Sequence, residues 1–159
     1  MNKLLPFILT IFLLSGCTDP CQDVICLNGA TCLEGTCLCL DFYEGADCGT
    51  EERAAYFGTY TGTTTYSDAQ GNTNTYADSK VISSSSQGIA FIKFDGGIYG
   101  SLSTPGAGVF DIPSQSSANP GAADSYFSGS GNFSGTYVTY TLTVENNGEV
   151  VTMSFTGTK

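Results

Sequence analysis

The chain has 159 residues and a formal charge of −10, from 15 Asp and Glu against 5 Lys and Arg. That length suits one ordinary domain plus a small module, and a surface of that sign repels phosphate backbones, which argues against nucleic acid as a partner. Histidine is absent, removing the commonest general base, the usual partner of a nucleophilic Ser or Cys, and the commonest zinc ligand.

Residues 1–17 read MNKLLPFILTIFLLSGC. Lys3 supplies a positive start, Leu4 to Leu14 an apolar stretch, and Ser15 and Gly16 the small residues before a cleavage point, the layout of a secretory signal peptide. The apolar stretch is shorter than the ~20 residues a membrane-spanning helix needs. Leu14, Ser15, Gly16 and Cys17 resemble the lipobox of bacterial lipoprotein signal peptides. The resemblance implies removal of 1–16, a diacylglyceryl thioether on Cys17 and N-acylation of that residue by a chain of the palmitate class. Residues 17–20 then form a lipidated tether. Each buried methylene contributes ~0.8 kcal/mol, so several acyl chains hold a soluble domain at a membrane. No aspartate directly follows Cys17, so the outer membrane is the expected address, with the leaflet left open.

Six further cysteines follow the pattern C-x4-C-x5-C-x4-C-x-C-x8-C from Cys21 to Cys48. So short a segment cannot bury a real core, and in an exported chain disulfides are expected to hold it. Six cysteines permit about 15 pairings, and spacing alone does not choose among them. CLNGATC followed by CLCLDFYEGADC resembles an EGF-like module, with Asn28, Gly29 and Thr31 in the turn before the module's third cysteine, Cys32, and Tyr43 and Gly45 in the final loop. The resemblance implies the pairs Cys21–Cys32, Cys26–Cys37 and Cys39–Cys48. Phe42 stands where the family usually has glycine, so an altered turn or an outward aromatic is expected there. With no histidine and no C-x2-C pair, no metal site is expected, and LEGT is too short for the calcium-binding pattern of the family. Asp19, Asp23, Glu34, Asp41, Glu44 and Asp47 are expected to form a solvated acidic face.

GTEERAAY leads out of the module, with 49–55 expected as a linker. From residue 56 to 159 the text changes to short alternating runs at 56–67, 75–84, 88–94, 98–104, 109–114, 125–133, 137–145 and 149–158, the regular spacing of an all-β domain. DGG (95–97), PGAG (105–108) and NNG (146–148) supply the positive φ of tight hairpins. In the last hairpin Val138, Tyr140, Leu142 and Val144 share one face, and Val151, Met153 and Phe155 continue an apolar face after the turn. Short consecutive hairpins predict an antiparallel meander, and eight such strands can close into an up-and-down barrel, with a β-sandwich as the alternative. Gly58, Gly62, Gly100, Gly129 and Gly131 suit the sharp bends of a small barrel. YFGTYTGT, IPSQ, GSGNFSG and MSFTGTK resemble the lipocalin-like β-barrel domains of small bacterial lipoproteins. That resemblance implies a barrel, often with a ligand-sized interior, and no shared ligand.

Chemistry is harder to find. No serine lies in a G-x-S-x-G elbow, and no nucleotide-binding glycine motif occurs. Lys93, between Ile92 and Phe94, is expected to face solvent. Asp95 begins a turn where aspartate is common, and Asp111 is expected outward on its strand despite its apolar neighbours. Tyrosines are the better contact residues, joining an apolar ring to a hydrogen-bonding tip. Tyr56, Tyr60, Tyr66, Tyr99 and Tyr126 are the candidate ligand-binding residues, beside the loops 83–86 and 114–125. The expectation is a non-enzymatic, lipid-anchored envelope protein without cofactor, in which an EGF-like spacer presents a barrel to a protein or glycan partner. The alternative is a structural or assembly component of an envelope complex.

Overall fold

The computed structural model describes residues 19–116 and 125–159; Cys17, the 1–16 stretch and the centre of the 114–125 loop lie outside the described residues. The cysteine module carries two small hairpins. β1 (Thr31–Leu33) pairs with β2 (Thr36–Leu38), and β3 (Tyr43–Glu44) pairs with β4 (Thr50–Glu51). Disulfides join Cys21 to Cys32, Cys26 to Cys37 and Cys39 to Cys48, the same three pairs that the EGF-like resemblance implies. Asp19, Asp23, Glu34, Asp41, Glu44 and Asp47 are all exposed.

The remaining strands form a closed antiparallel barrel: β5 (Gly58–Ser67), β6 (Thr73–Ser84), β7 (Phe91–Lys93), β8 (Tyr99–Leu102), β9 (Val109–Ser116), β10 (Ser125–Ser134), β11 (Tyr137–Asn146) and β12 (Glu149–Thr158). Each strand pairs with its sequence neighbours, and β12 returns to β5 from Thr152↔Ser67 to Thr158↔Thr61. Closure excludes the sandwich, because every strand has a partner on both sides and no edge remains. The tight turns take the expected backbone: Asn147 and Gly148 at φ 51° and 82°, Gly96 and Gly97 at 76° and 84°.

Alternate residues point inward and build the core. Tyr60, Ile82, Ile92, Phe94, Leu102, Phe110, Ile112, Phe133, Val138, Leu142 and Phe155 are buried there. Aromatic rings run through it as a continuous chain. Tyr56 stacks on Phe133 at 4.2 Å, and the contacts continue Phe133–Phe110 (5.1 Å), Phe110–Phe94 (5.4 Å), Phe94–Tyr140 (5.2 Å) and Tyr140–Phe155 (5.4 Å). Each such pair contributes ~0.5–1.5 kcal/mol beyond its buried area. The strand glycines make room for these rings as much as for bends: a Cβ on Gly131 would stand 2.6 Å from Phe110 Cζ.

Three sequence expectations are corrected. Residues 88–90 are not strand; β7 begins at Phe91, and Gly88 takes φ 148°. The segment 49–55 is no bare linker, since it contains β4 and most of a 3-10 helix (Glu52–Tyr56) in which Glu52 and Arg53 are buried. Tyr56 therefore belongs to that helix and not to the first barrel strand. Phe42 adopts φ 67°, the conformation that favours glycine, yet its ring does not point out to solvent. It packs against the barrel core, and this burial offsets the ~1–2 kcal/mol that a left-handed conformation costs.

Candidate functional site

The two ends of the barrel differ. At the first end lie the 84–91, 102–109 and 134–137 connections, and the 3-10 helix closes it. Arg53 Nη1 lies within hydrogen-bond distance of the carbonyls of Ser85 (2.9 Å), Gly88 (2.6 Å) and Phe91 (2.8 Å), which share its two protons, and Nε donates to Glu51 (2.9 Å). A buried guanidinium here gives the 85–91 loop the donors it would otherwise lack. Tyr56 donates to Glu52 (3.1 Å) and Tyr60 donates to the Tyr56 carbonyl (3.0 Å). Burial, and then the Glu52 carboxylate, push the Tyr56 phenol up to about 12. The C-terminal Lys159 donates from Nζ to the carbonyls of Ala55 and Phe57 (3.0 Å), sealing the same end.

The opposite end, where the 67–73, 93–99 and 146–149 connections lie, holds a cavity of about 120 Å³. Its wall is apolar: Phe94, Ile98, Ile112, Phe127, Leu142, Met153 and Phe155, with Thr64, Lys80, Asp95 and Tyr140 as the polar lining. The alternation explains the set, because Thr64, Lys80, Tyr140, Leu142 and Met153 share inward parity with the core residues of their own strands. The polar groups are ordered among themselves. Thr64 donates to Asp78 Oδ2 (2.6 Å) and Lys80 pairs with the same oxygen (2.9 Å), while the Ser79 N–H binds Oδ1 (2.8 Å). Burial pushes the Asp78 carboxyl up, but the Thr64, Lys80 and Ser79 donors outweigh it and hold it below the usual carboxylate value. Burial, with the nearby Asp78 and Asp95 carboxylates adding to it, pushes the Tyr140 phenol well above its ordinary value.

Where the strand ladder thins, side chains complete it. β6 and β7 pair over only Ser83↔Lys93 and Ser84↔Ile92, and Asp95 Oδ2 takes the Val81 N–H (2.8 Å) beyond them. β8 and β9 likewise pair over Ser101↔Asp111 and Leu102↔Phe110, after which the Gln115 side chain binds both the N–H and the carbonyl of Tyr99 (2.9 and 2.7 Å). Both devices stand beside the cavity mouth and fix its rim.

The five candidate tyrosines are not brought together. Tyr56 and Tyr60 fill the closed end, and Tyr60 is 0% exposed. Tyr66 stands exposed on β5 near the open end, Tyr99 packs edge-on to Phe91 (5.8 Å), and Tyr126 lies 54% exposed on β10. Strand parity separates them, since Tyr99 and Tyr126 occupy outward positions while their neighbours Gly100 and Ser125 are buried. Tyr140 reaches the cavity instead, as its place in the apolar face of β11 foretells. Lys93 and Asp111 are exposed, Asp111 accepting from Ser103 (2.8 Å). Among the described residues no group of three Cys, Asp or Glu is placed to hold a metal ion. No protein-family model matches the chain, and no curated protein matches it.

Proposed function

We propose that this chain is a lipid-anchored envelope protein that binds a small, largely apolar ligand in the open end of its barrel. In this reading Cys17 carries the lipid, the EGF-like module is the spacer next to the membrane, and the lipocalin-like barrel is the receptor, without enzymatic activity. The cavity of about 120 Å³ carries the proposal. An apolar cavity of about 150 Å³ takes up a molecule of benzene's size, whereas a well-packed core holds few voids larger than a water. The layout supports the same roles. The module joins the barrel at its closed end through Phe42 and the 3-10 helix, so an anchor at Cys17 leaves the open end as the far end of the molecule.

Two experiments test it. Benzyl alcohol added to methyl-labelled protein is expected to shift the Ile112, Leu142 and Met153 methyl resonances, and Leu142→Trp, which fills the cavity, is expected to abolish the shifts. Unchanged methyl signals in the wild type would reject the binding role. Independently, Cys17→Ser is expected to move the protein from the membrane fraction to the soluble fraction.

The second reading, a structural or assembly component, is favoured by one observation. The module exposes Ile25 (76%), Leu27, Leu33, Leu38 and Leu40. Leu33 and Leu38 share the face of the β1–β2 hairpin opposite the Cys32↔Cys37 pair. Clustered aliphatic side chains on a small module mark a contact surface.

A further inference from the structure

The charges around the cavity are unequal, and their bookkeeping bears on the ligand. Among the described residues Lys80 is the only cation lining it, and its ammonium is already paired at 2.9 Å with Asp78, so these two formal charges cancel. Asp95 remains. Its Oδ2 accepts the Val81 N–H (2.8 Å), a neutral donor. Among the described residues it forms no ion pair: the two present are Arg53–Glu51 and Lys80–Asp78. A carboxylate with no ion-pair partner among the described residues therefore stands in the lining of a largely apolar cavity. Aromatic rings also line it, with the Phe94 and Tyr140 centroids 5.2 Å apart. A carboxylate beside aromatic faces favours a cation over a neutral or anionic guest. The phenol of Tyr140 reports the same field, since both Asp78 and Asp95 oppose its ionisation. The charge of −10 on the whole chain adds a long-range attraction for cations.

We infer that the cavity is selective for small organic cations: a compact apolar body among Phe94, Leu142 and Met153, with its ammonium group against Asp95. The inference rests on the proposed binding role and names the chemical class of the ligand.

The test compares three probes of one size, benzylammonium, benzyl alcohol and benzoate, by calorimetric titration of the full chain at neutral pH and low salt. The expected order is benzylammonium first, about fivefold tighter than benzyl alcohol, as an exposed ion pair plus a cation–π contact implies, with benzoate weakest. Asp95→Asn retains an oxygen for the Val81 N–H, so the barrel rim is kept. That variant is expected to lose the preference, binding benzylammonium no more tightly than benzyl alcohol. Equal affinity of the wild type for the cation and the alcohol would overturn the charge selectivity and leave the binding role standing. So would an Asp95→Asn variant with the preference intact. Failure of all three probes to bind the wild type would overturn both.

Discussion

Arg53 joins the closed end of the barrel to the segment that leads in from the cysteine module, and replacing it gives the most demanding test of how that end is built. Its Nη1 faces three backbone carbonyls, Ser85, Gly88 and Phe91, but a guanidinium nitrogen carries only two protons. Two charge-assisted hydrogen bonds are therefore the proper count, each contributing ~1.5–3 kcal/mol net. The Glu51 pair is partly exposed and adds ~0–1 kcal/mol. Arg53→Met keeps the length and apolar bulk of the side chain while stripping the donors from the loop carbonyls. Some of those carbonyls regain water when the loop loosens, so the expected loss is about 3–5 kcal/mol, a large share of the 5–15 kcal/mol typical of a domain. The assay is denaturant unfolding with disulfides intact, followed by far-ultraviolet circular dichroism, at matched m-values. Arg53→Lys is expected to recover only part of the loss, because an ammonium cannot span the carbonyls as a planar fork does. A change below about 1 kcal/mol for Arg53→Met would refute this role for the guanidinium.

Phe42 offers a second test, in which ring burial and backbone strain oppose each other. Phe42→Ala keeps the positive φ and loses the ring, so it is expected to cost about 2 kcal/mol, whereas Phe42→Gly relieves the strain and stays within about 1 kcal/mol of the wild type in the same unfolding assay. At the β5–β12 seam, a Cβ on Gly62 would fall on the Thr156 carbonyl, while one on Gly71 meets nothing within 4 Å. Gly62→Ala is therefore expected to destabilise by about 3 kcal/mol or more, and Gly71→Ala only by the ~1 kcal/mol of its positive φ; equal losses would contradict the closed seam. Asp78 has a lowered pKa in the folded state, so it stabilises above the unfolded carboxyl value near 4 and loses that contribution as pH falls through it towards the folded value. Asp78→Asn is expected to flatten the fall of Tm between about pH 5 and pH 2, and an unchanged slope would assign the acid sensitivity elsewhere.

The barrel was legible because its signals are local. Alternation in 137–145, the NNG turn and the steady strand spacing each constrain a few neighbouring residues, and an even number of short antiparallel strands allows the first to meet the last. Strand 88–94 was misjudged at its start because Gly88 and the buried Arg53, 35 residues apart, together replace ladder hydrogen bonds with side-chain ones. The same cause hid the role of 49–55, where charged letters suggest solvent and only the distant carbonyls explain their burial. Phe42 shows the limit of a resemblance: its departure from glycine is visible in the sequence, but the barrel core against which it packs is not. Among the candidate tyrosines, ring chemistry alone does not separate inward from outward positions. Parity places Tyr140 inside and Tyr99 and Tyr126 outside, and two of the cavity residues, Tyr140 and Leu142, lie in the apolar face marked on β11.

The most direct measurement is the xenon-pressurised crystal structure of the barrel. A single xenon atom is expected among Phe94, Leu142 and Met153, with none beside Tyr56 and Phe133 at the other end. A core that takes up no xenon at the open end would mean that side chains fill it, and the molecule would have no interior site.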